Sequence, residues 1–142
     1  MDYVIEDIRL TELRRVDVVG GDVLHALKAS ESDFRMFGEA YFTFINPGAV
    51  KAWKRHLSMT MNLIVPVGLV RFVFWDGRVG VFREEEIGVE GKYGRLSVPP
   101  GLWFGFKSYW KEPSLVLNIA SLEHDPLEVE RLPMDALNYD WK

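Results

Sequence analysis

The sequence predicts an all-β chain, a small antiparallel barrel with very little helix, on three observations. Short segments rich in Val, Ile, Phe, Tyr and Trp recur along the 142 residues. Corners containing Pro and Gly separate them. Helix signals are confined to one or two short stretches.

The strand candidates are Asp17 to Leu27, Ala40 to Asn46, Asn62 to Val67, Leu69 to Trp75, Gly94 to Val98, Trp103 to Trp110 and Ser114 to Ala120. Their branched and aromatic side chains suit a pleated, half-buried surface. Asn46-Pro47-Gly48, Asp76-Gly77-Arg78 and Pro99-Pro100-Gly101 are the corners, because Pro and Gly preset turn dihedrals and interrupt ladder hydrogen bonding. Ser30 to Phe37 is expected as a short helix, with Ser30 as N-cap and Asp33 three residues on. A second helical turn is expected after Asp125-Pro126, where Asp caps and Pro takes the first helical position.

Composition narrows the function classes. With 48% hydrophobic and 27% charged residues, the chain is expected to be a single domain over 1–142. Seventeen Lys and Arg against 21 Asp and Glu give a net charge of −4, which excludes the basic footprint of a nucleic-acid binder. Cysteine is absent, which removes thiolate nucleophiles and Cys-rich zinc sites and suits the reducing cytoplasm. The longest uncharged apolar run, Asn62 to Val70, falls far short of the roughly 20 residues of a membrane helix. Asp2, Glu6 and Asp7 do not make a signal peptide. Nine Phe, five Trp and five Tyr are enough to fill a barrel interior or a dimer seam.

The densest cationic run is Lys51-Ala52-Trp53-Lys54-Arg55-His56, just after a Pro-Gly corner. Composition alone would make it a solvated rim. Its spacing points elsewhere. Gly48, five residues, Lys54, one residue, His56 and a later Gly68 resemble the first cupin motif, in which a glycine precedes His-x-His, a glutamate and a closing glycine. Pro99-Pro100-Gly101-Leu102-Trp103-Phe104 resembles the second motif, with Phe104 in place of its last histidine. Lys54 stands at the first metal histidine, His56 at the second, and Thr60 or Met61 at the glutamate. A lysine ammonium repels a divalent ion, so the expectation is a cupin-like jelly-roll barrel with no metal.

Metal-free cupins include the nucleotide-sugar epimerases, and the likeness to the short relatives of dTDP-4-dehydrorhamnose 3,5-epimerase extends over roughly residues 15 to 141. It is carried by Phe37-Gly38-Glu39-Ala40-Tyr41, Pro47-Gly48-Ala49-Val50-Lys51-Ala52-Trp53, the Pro99 to Phe106 segment, His124-Asp125-Pro126 and Tyr139-Asp140-Trp141. The resemblance implies a cytoplasmic homodimer without a cofactor. Such a protein takes a proton from a carbon beside the keto group of a dTDP-linked 4-keto-6-deoxyhexose, in deoxysugar and polysaccharide biosynthesis. By resemblance Lys51 keeps the charge of an arginine that contacts the diphosphate. Lys54 replaces the family's histidine base, Asn62 falls near the lysine that steadies the enolate oxygen, and Phe104 replaces a supporting histidine. Gly20-Gly21-Asp22 lacks the phosphate-binding arginine, and no tyrosine lies between Asn118 and Asp125.

Parity suggests a replacement machinery. Lys54 and His56, two apart on a β segment, would both point inward, with Asn62 facing them from the next strand. Burial and a neighbouring cation lower a lysine pKa, which makes a neutral amine base of Lys54 and a proton partner or enolate donor of His56. Lys54 could instead act only as a charge on the diphosphate. Lys51, Arg55 and Asn62 are the expected substrate contacts, with Trp53 and Trp103 as stacking surfaces. His25 is expected to be structural, His124 a loop residue and Glu84-Glu85-Glu86 an exposed edge. The alternative function is a non-catalytic cupin that holds a nucleotide sugar.

Overall fold

Among the described residues of the structure, a computed structural model covering 2–142, the strands are β1 (Arg9–Glu12), β2 (Arg15–Val16), β3 (Val23–Leu24), β4 (Glu39–Ile45), β5 (Val50–His56), β6 (Met61–Val67), β7 (Val70–Asp76), β8 (Val81–Ile87), β9 (Gly94–Val98), β10 (Trp103–Ser108), β11 (Ser114–Ala120) and β12 (Val129–Arg131). Three 3-10 turns, Ile5–Asp7, Pro126–Glu128 and Met134–Ala136, supply the helix. One sheet runs β1-β9-β6-β11-β4 and a second runs β12-β5-β10-β7-β8; β2 and β3 form a separate ribbon.

The chain changes sheet at most connections from β4 onward, and the predicted corners make several of the crossings. Asn46-Pro47-Gly48 turns β4 into β5 with Ala49 N–H on Asn46 O at 3.0 Å, and Pro99-Pro100-Gly101 turns β9 into β10. Gly68 turns β6 into β7 at φ 93°, where an added Cβ would lie 2.1 Å from Ser114 Oγ, so no side chain fits. Asp76-Gly77-Arg78 instead makes the β7–β8 hairpin within the second sheet.

Strand alternation sends Leu63, Val65, Leu96, Val98 and Val116 of the first sheet against Phe72, Phe74 and Phe104 of the second, all buried. Each such side chain contributes roughly 1.5–3 kcal/mol by leaving water. A further apolar layer covers the outer face of the second sheet, where Trp53, Val73 and Trp103 lie under Leu132, Leu137, Tyr139 and Trp141. That second cover explains why β7 reads as an almost unbroken apolar run.

The expected closed barrel is corrected to a sandwich: among the described residues no strand pairing joins the two five-stranded sheets. The expected helix over Ser30 to Phe37 is a set of turns. Its carboxylates dock on Arg95 instead, with Glu31 at 2.7 Å and Asp33 at 3.4 Å from Nη2 of that fully buried side chain. Asp17 to Leu27 keeps only β3, because Gly20 and Gly21 turn the chain back. The turn after Asp125 forms as expected, with Asp125 Oδ1 accepting from Leu127 N–H at 3.0 Å and Pro126 in the first turn. β8 is a strand although three consecutive glutamates fill it, since as an edge strand it buries little besides Ile87.

Candidate functional site

Between the sheets, at the end where β4 and β12 form the edges, lies a cavity of about 460 Å³. One wall comes from the first sheet, with Tyr41 and Thr43 of β4, Met61 and Leu63 of β6, and Val116 and Asn118 of β11. The other comes from the second sheet, with Lys51 and Lys54 of β5, Phe104 and Phe106 of β10, and Arg131 of β12.

Lys51 and Lys54 are three residues apart, which in a regular strand would send them to opposite faces. A bulge removes the conflict. Phe104 pairs with Lys54 and Gly105 with Ala52, so Trp53 is the extra residue and the inward register is restored at Lys51, opposite Phe106. Lys54 faces Arg131 across the β5–β12 pair. Lys51 Nζ donates to Phe44 O at 2.9 Å, bridging the sheets at the cavity mouth.

Three cations thus share the cavity with no carboxylate in its lining, in a chain of net charge −4. Among the described residues none of the three is ion-paired. Burial lowers the pKa of Lys54, and Arg131 lowers it further, against a smaller opposing pull from Glu128. The cavity therefore attracts anions and holds an amine that gives up its proton more readily than usual.

Behind this wall sits a buried pair. His56 stacks on Phe104, ring centroids 6.0 Å apart, and its Nδ1 lies 2.5 Å from Glu128 Oε1. The other carboxylate oxygen accepts from Ser58 and Met59 N–H, each at 3.1 Å. Burial would raise the Glu128 pKa, but His56 and the two amides outweigh it and hold the carboxyl below its usual range. For His56 burial is the largest influence and lowers its pKa, with Lys54 and Arg131 acting the same way. Burial thus favours the neutral ring, with Nδ1–H donated to Glu128, and Nε2 is buried and without a partner among the described residues.

The crystal structure of a dTDP-sugar isomerase from Desulfovibrio desulfuricans G20 matches 96% of this chain and 91% of its own, with a TM-score of 0.91 and 39% sequence identity. The chain belongs to the dTDP-sugar isomerase and epimerase family. A probable low-salt glycan biosynthesis epimerase, Agl13 of Haloferax volcanii, is 26% identical over 139 residues, 92% of this chain and 89% of that protein. The dTDP-4-dehydrorhamnose 3,5-epimerase of Sulfolobus tokodaii shares the fold at a TM-score of 0.81 and 17% identity, over 97% of this chain and 84% of its own. No family model matches the chain.

Within this family member, the predicted site residues divide between the inner and outer faces of the sandwich. Lys51 and Lys54 line the cavity; His56 lies on the same side of β5 but is not part of the lining. Asn62 does not face them. It points to the outer face of the first sheet, where Ser97 Oγ donates to its Oδ1 at 2.5 Å and its Nδ2 donates to Asp33 O at 3.3 Å. The inward places on β6 belong to Met61 and Leu63.

Trp103 and Arg55 lie on the outer face of the second sheet. The Arg55 guanidinium sits 4.8 Å above the Trp103 ring and pairs with Glu130. Trp53 borders the cavity, yet its indole N–H donates to Met134 O at 3.1 Å and its ring packs on Trp141. Neither tryptophan ring is free to stack on a base or sugar.

Sequence reasoning missed Tyr41, Asn118, Glu128 and Arg131. Asn118 had a legible signal, a lone amide inside the apolar run Leu115 to Ala120. Glu128 and Arg131 had none, because they reach the site only through the pairing of β12 with β5. Among the described residues no three His, Cys, Asp or Glu side chains converge as a metal site would require.

Proposed function

We propose that this protein enolises a 4-keto-6-deoxyhexose carried on thymidine diphosphate, as the first half of an epimerisation or keto-isomerisation, with Lys54 as the base. The carrying observation is the half-buried Lys54, its proton loosened by burial and by Arg131, in a cavity whose charged groups are all cations. The neutral amine takes a proton from the carbon beside the keto group, and the C–H electron pair becomes the C=C bond of an enolate. Negative charge then rests on the former keto oxygen, where a cation in a partly dry cavity is worth most. Arg131 and Lys51 supply positive charge for that oxygen and for the diphosphate. His56, whose Nδ1 is held by Glu128, lies two residues along β5 on the same side as Lys54 and is the proposed proton partner.

A protein that merely held the ligand would gain nothing from weakening a lysine's hold on its proton, so catalysis is the better reading. The same proposal includes a single jelly-roll domain over 1–142 and a cytoplasmic homodimer. Support for the dimer comes from Phe42 and Phe44, which are 62% and 68% exposed side by side on the outer face of edge strand β4.

Proton NMR of dTDP-4-keto-6-deoxyglucose in deuterated water follows solvent deuterium entering the carbons that flank the keto group. The wild-type protein is expected to catalyse exchange, and Lys54→Met to lose it by about 10²-fold or more while still binding dTDP. Unchanged exchange in Lys54→Met would sink the assignment of the base.

A further inference from the structure

We propose that Tyr41 and Asn118 together read one hydroxyl group of the bound sugar, a specificity role separate from the proton chemistry of Lys54. The inference rests on the nucleotide-sugar reading of the cavity. Tyr41 and Asn118 are direct partners across the β4–β11 pair, on the wall opposite Lys54. Asn118 Nδ2 donates to the Tyr41 hydroxyl oxygen at 3.0 Å. Asn118 is only 3% exposed, and its Oδ1 has no partner among the described residues. The Tyr41 hydroxyl, already accepting, keeps its own hydrogen to give.

Two neighbouring residues of the cavity lining therefore keep one unused acceptor and one unused donor. A buried acceptor without a donor is costly, and the neighbouring Leu63, Val116 and Met59 side chains offer none. A keto oxygen and a phosphate only accept, so neither satisfies Asn118 Oδ1. An ammonium only donates and would meet the charges of Lys51, Lys54 and Arg131. A hydroxyl accepts from Tyr41 and donates to Asn118, satisfying both. Turning the amide over exchanges the two roles and leaves the same donor and acceptor count.

The test is calorimetric titration of the full chain with dTDP, dTDP-glucose and the 2-deoxy and 3-deoxy analogues of dTDP-glucose. One of the two analogues is expected to bind wild type roughly 10- to 100-fold more weakly than dTDP-glucose. Tyr41→Phe and Asn118→Leu are each expected to shrink that penalty to about threefold or less, while dTDP binds all three proteins alike. Equal binding of both analogues and dTDP-glucose by wild type would overturn the proposal, as would an undiminished penalty in Tyr41→Phe, which retains the packing if Asn118→Leu fails to fold. Failure of wild type to bind even dTDP would instead strike the nucleotide-sugar reading, and this inference with it.

Discussion

Replacing Glu128 by Ala should unsettle the fold and the site together. Glu128 is 8% exposed and accepts three hydrogen bonds, from His56 Nδ1 at 2.5 Å and from the Ser58 and Met59 amides at 3.1 Å. Truncation leaves the buried Met59 N–H and the His56 Nδ1–H without an acceptor, whereas water can reach the exposed Ser58. At roughly 1–3 kcal/mol for each buried group, the loss is about 3 kcal/mol. For a chain of this size that lowers the melting temperature by roughly 10 °C. Glu128→Gln retains one carbonyl oxygen for the backbone amides and should lose about half as much. Circular dichroism melts read the stability, and nitrogen chemical shifts of the imidazole read the tautomer, which should leave the Nδ1–H form in Glu128→Ala. A melt within about 2 °C of wild type with an unchanged tautomer would refute the reasoning, since an orphaned buried donor cannot be that cheap.

Two other outcomes follow from the same geometry. His56 and Glu128 both have folded-state pKa values below their ordinary 6.5 and 4.5, so the folded state binds fewer protons than the unfolded chain as the medium is acidified. Their contribution is therefore complete above pH 6.5 and is lost as pH falls through the depressed values; urea midpoints that stay flat from pH 7 to pH 4 would contradict it. If Phe42 and Phe44 are the dimer seam, light scattering should report twice the 16.4 kDa chain mass for wild type and a shift toward one chain for Phe44→Asp; a wild-type mass of one chain refutes the dimer.

What was legible in the sequence was local. Gly94–Val98 and Ser114–Ala120 coincide with their expected strands because turn-forming or small polar residues bound them, Pro99-Pro100 after the first and Pro113 and Ser121 on either side of the second. Asn46-Pro47-Gly48 and Pro99-Pro100-Gly101 were legible as corners because Pro and Gly act on their own dihedrals. The failures were of two physical kinds. The Ser30 to Phe37 capping pattern lost to a tertiary contact, the demand of buried Arg95 for carboxylates, which no local rule contains.

The second kind was register. Parity from Lys54 to His56 held, but carrying it across the turn into β6 placed Asn62 on the wrong face, since the strand presents Met61 and Leu63 inward. Across the bulge at Trp53 the same rule would have put Lys51 outside, and only the pairing with β10 restores it. The composition of a strand is written in the sequence; its face is settled by its neighbours.

β12 has a consequence beyond binding. It is three residues long, pairs only with β5, and carries Arg131 while directly following Glu128. A short edge strand opens at a lower free energy than the strands beneath it, by local fraying that leaves the Phe72 and Phe74 core intact. Each such opening withdraws a cavity cation and loosens the segment that holds the carboxylate partner of His56. Heating should therefore silence the catalyst before it melts the fold, and cooling should restore it without refolding, so that the temperature range of activity is set by the edge of the sheet and that of the protein by its core.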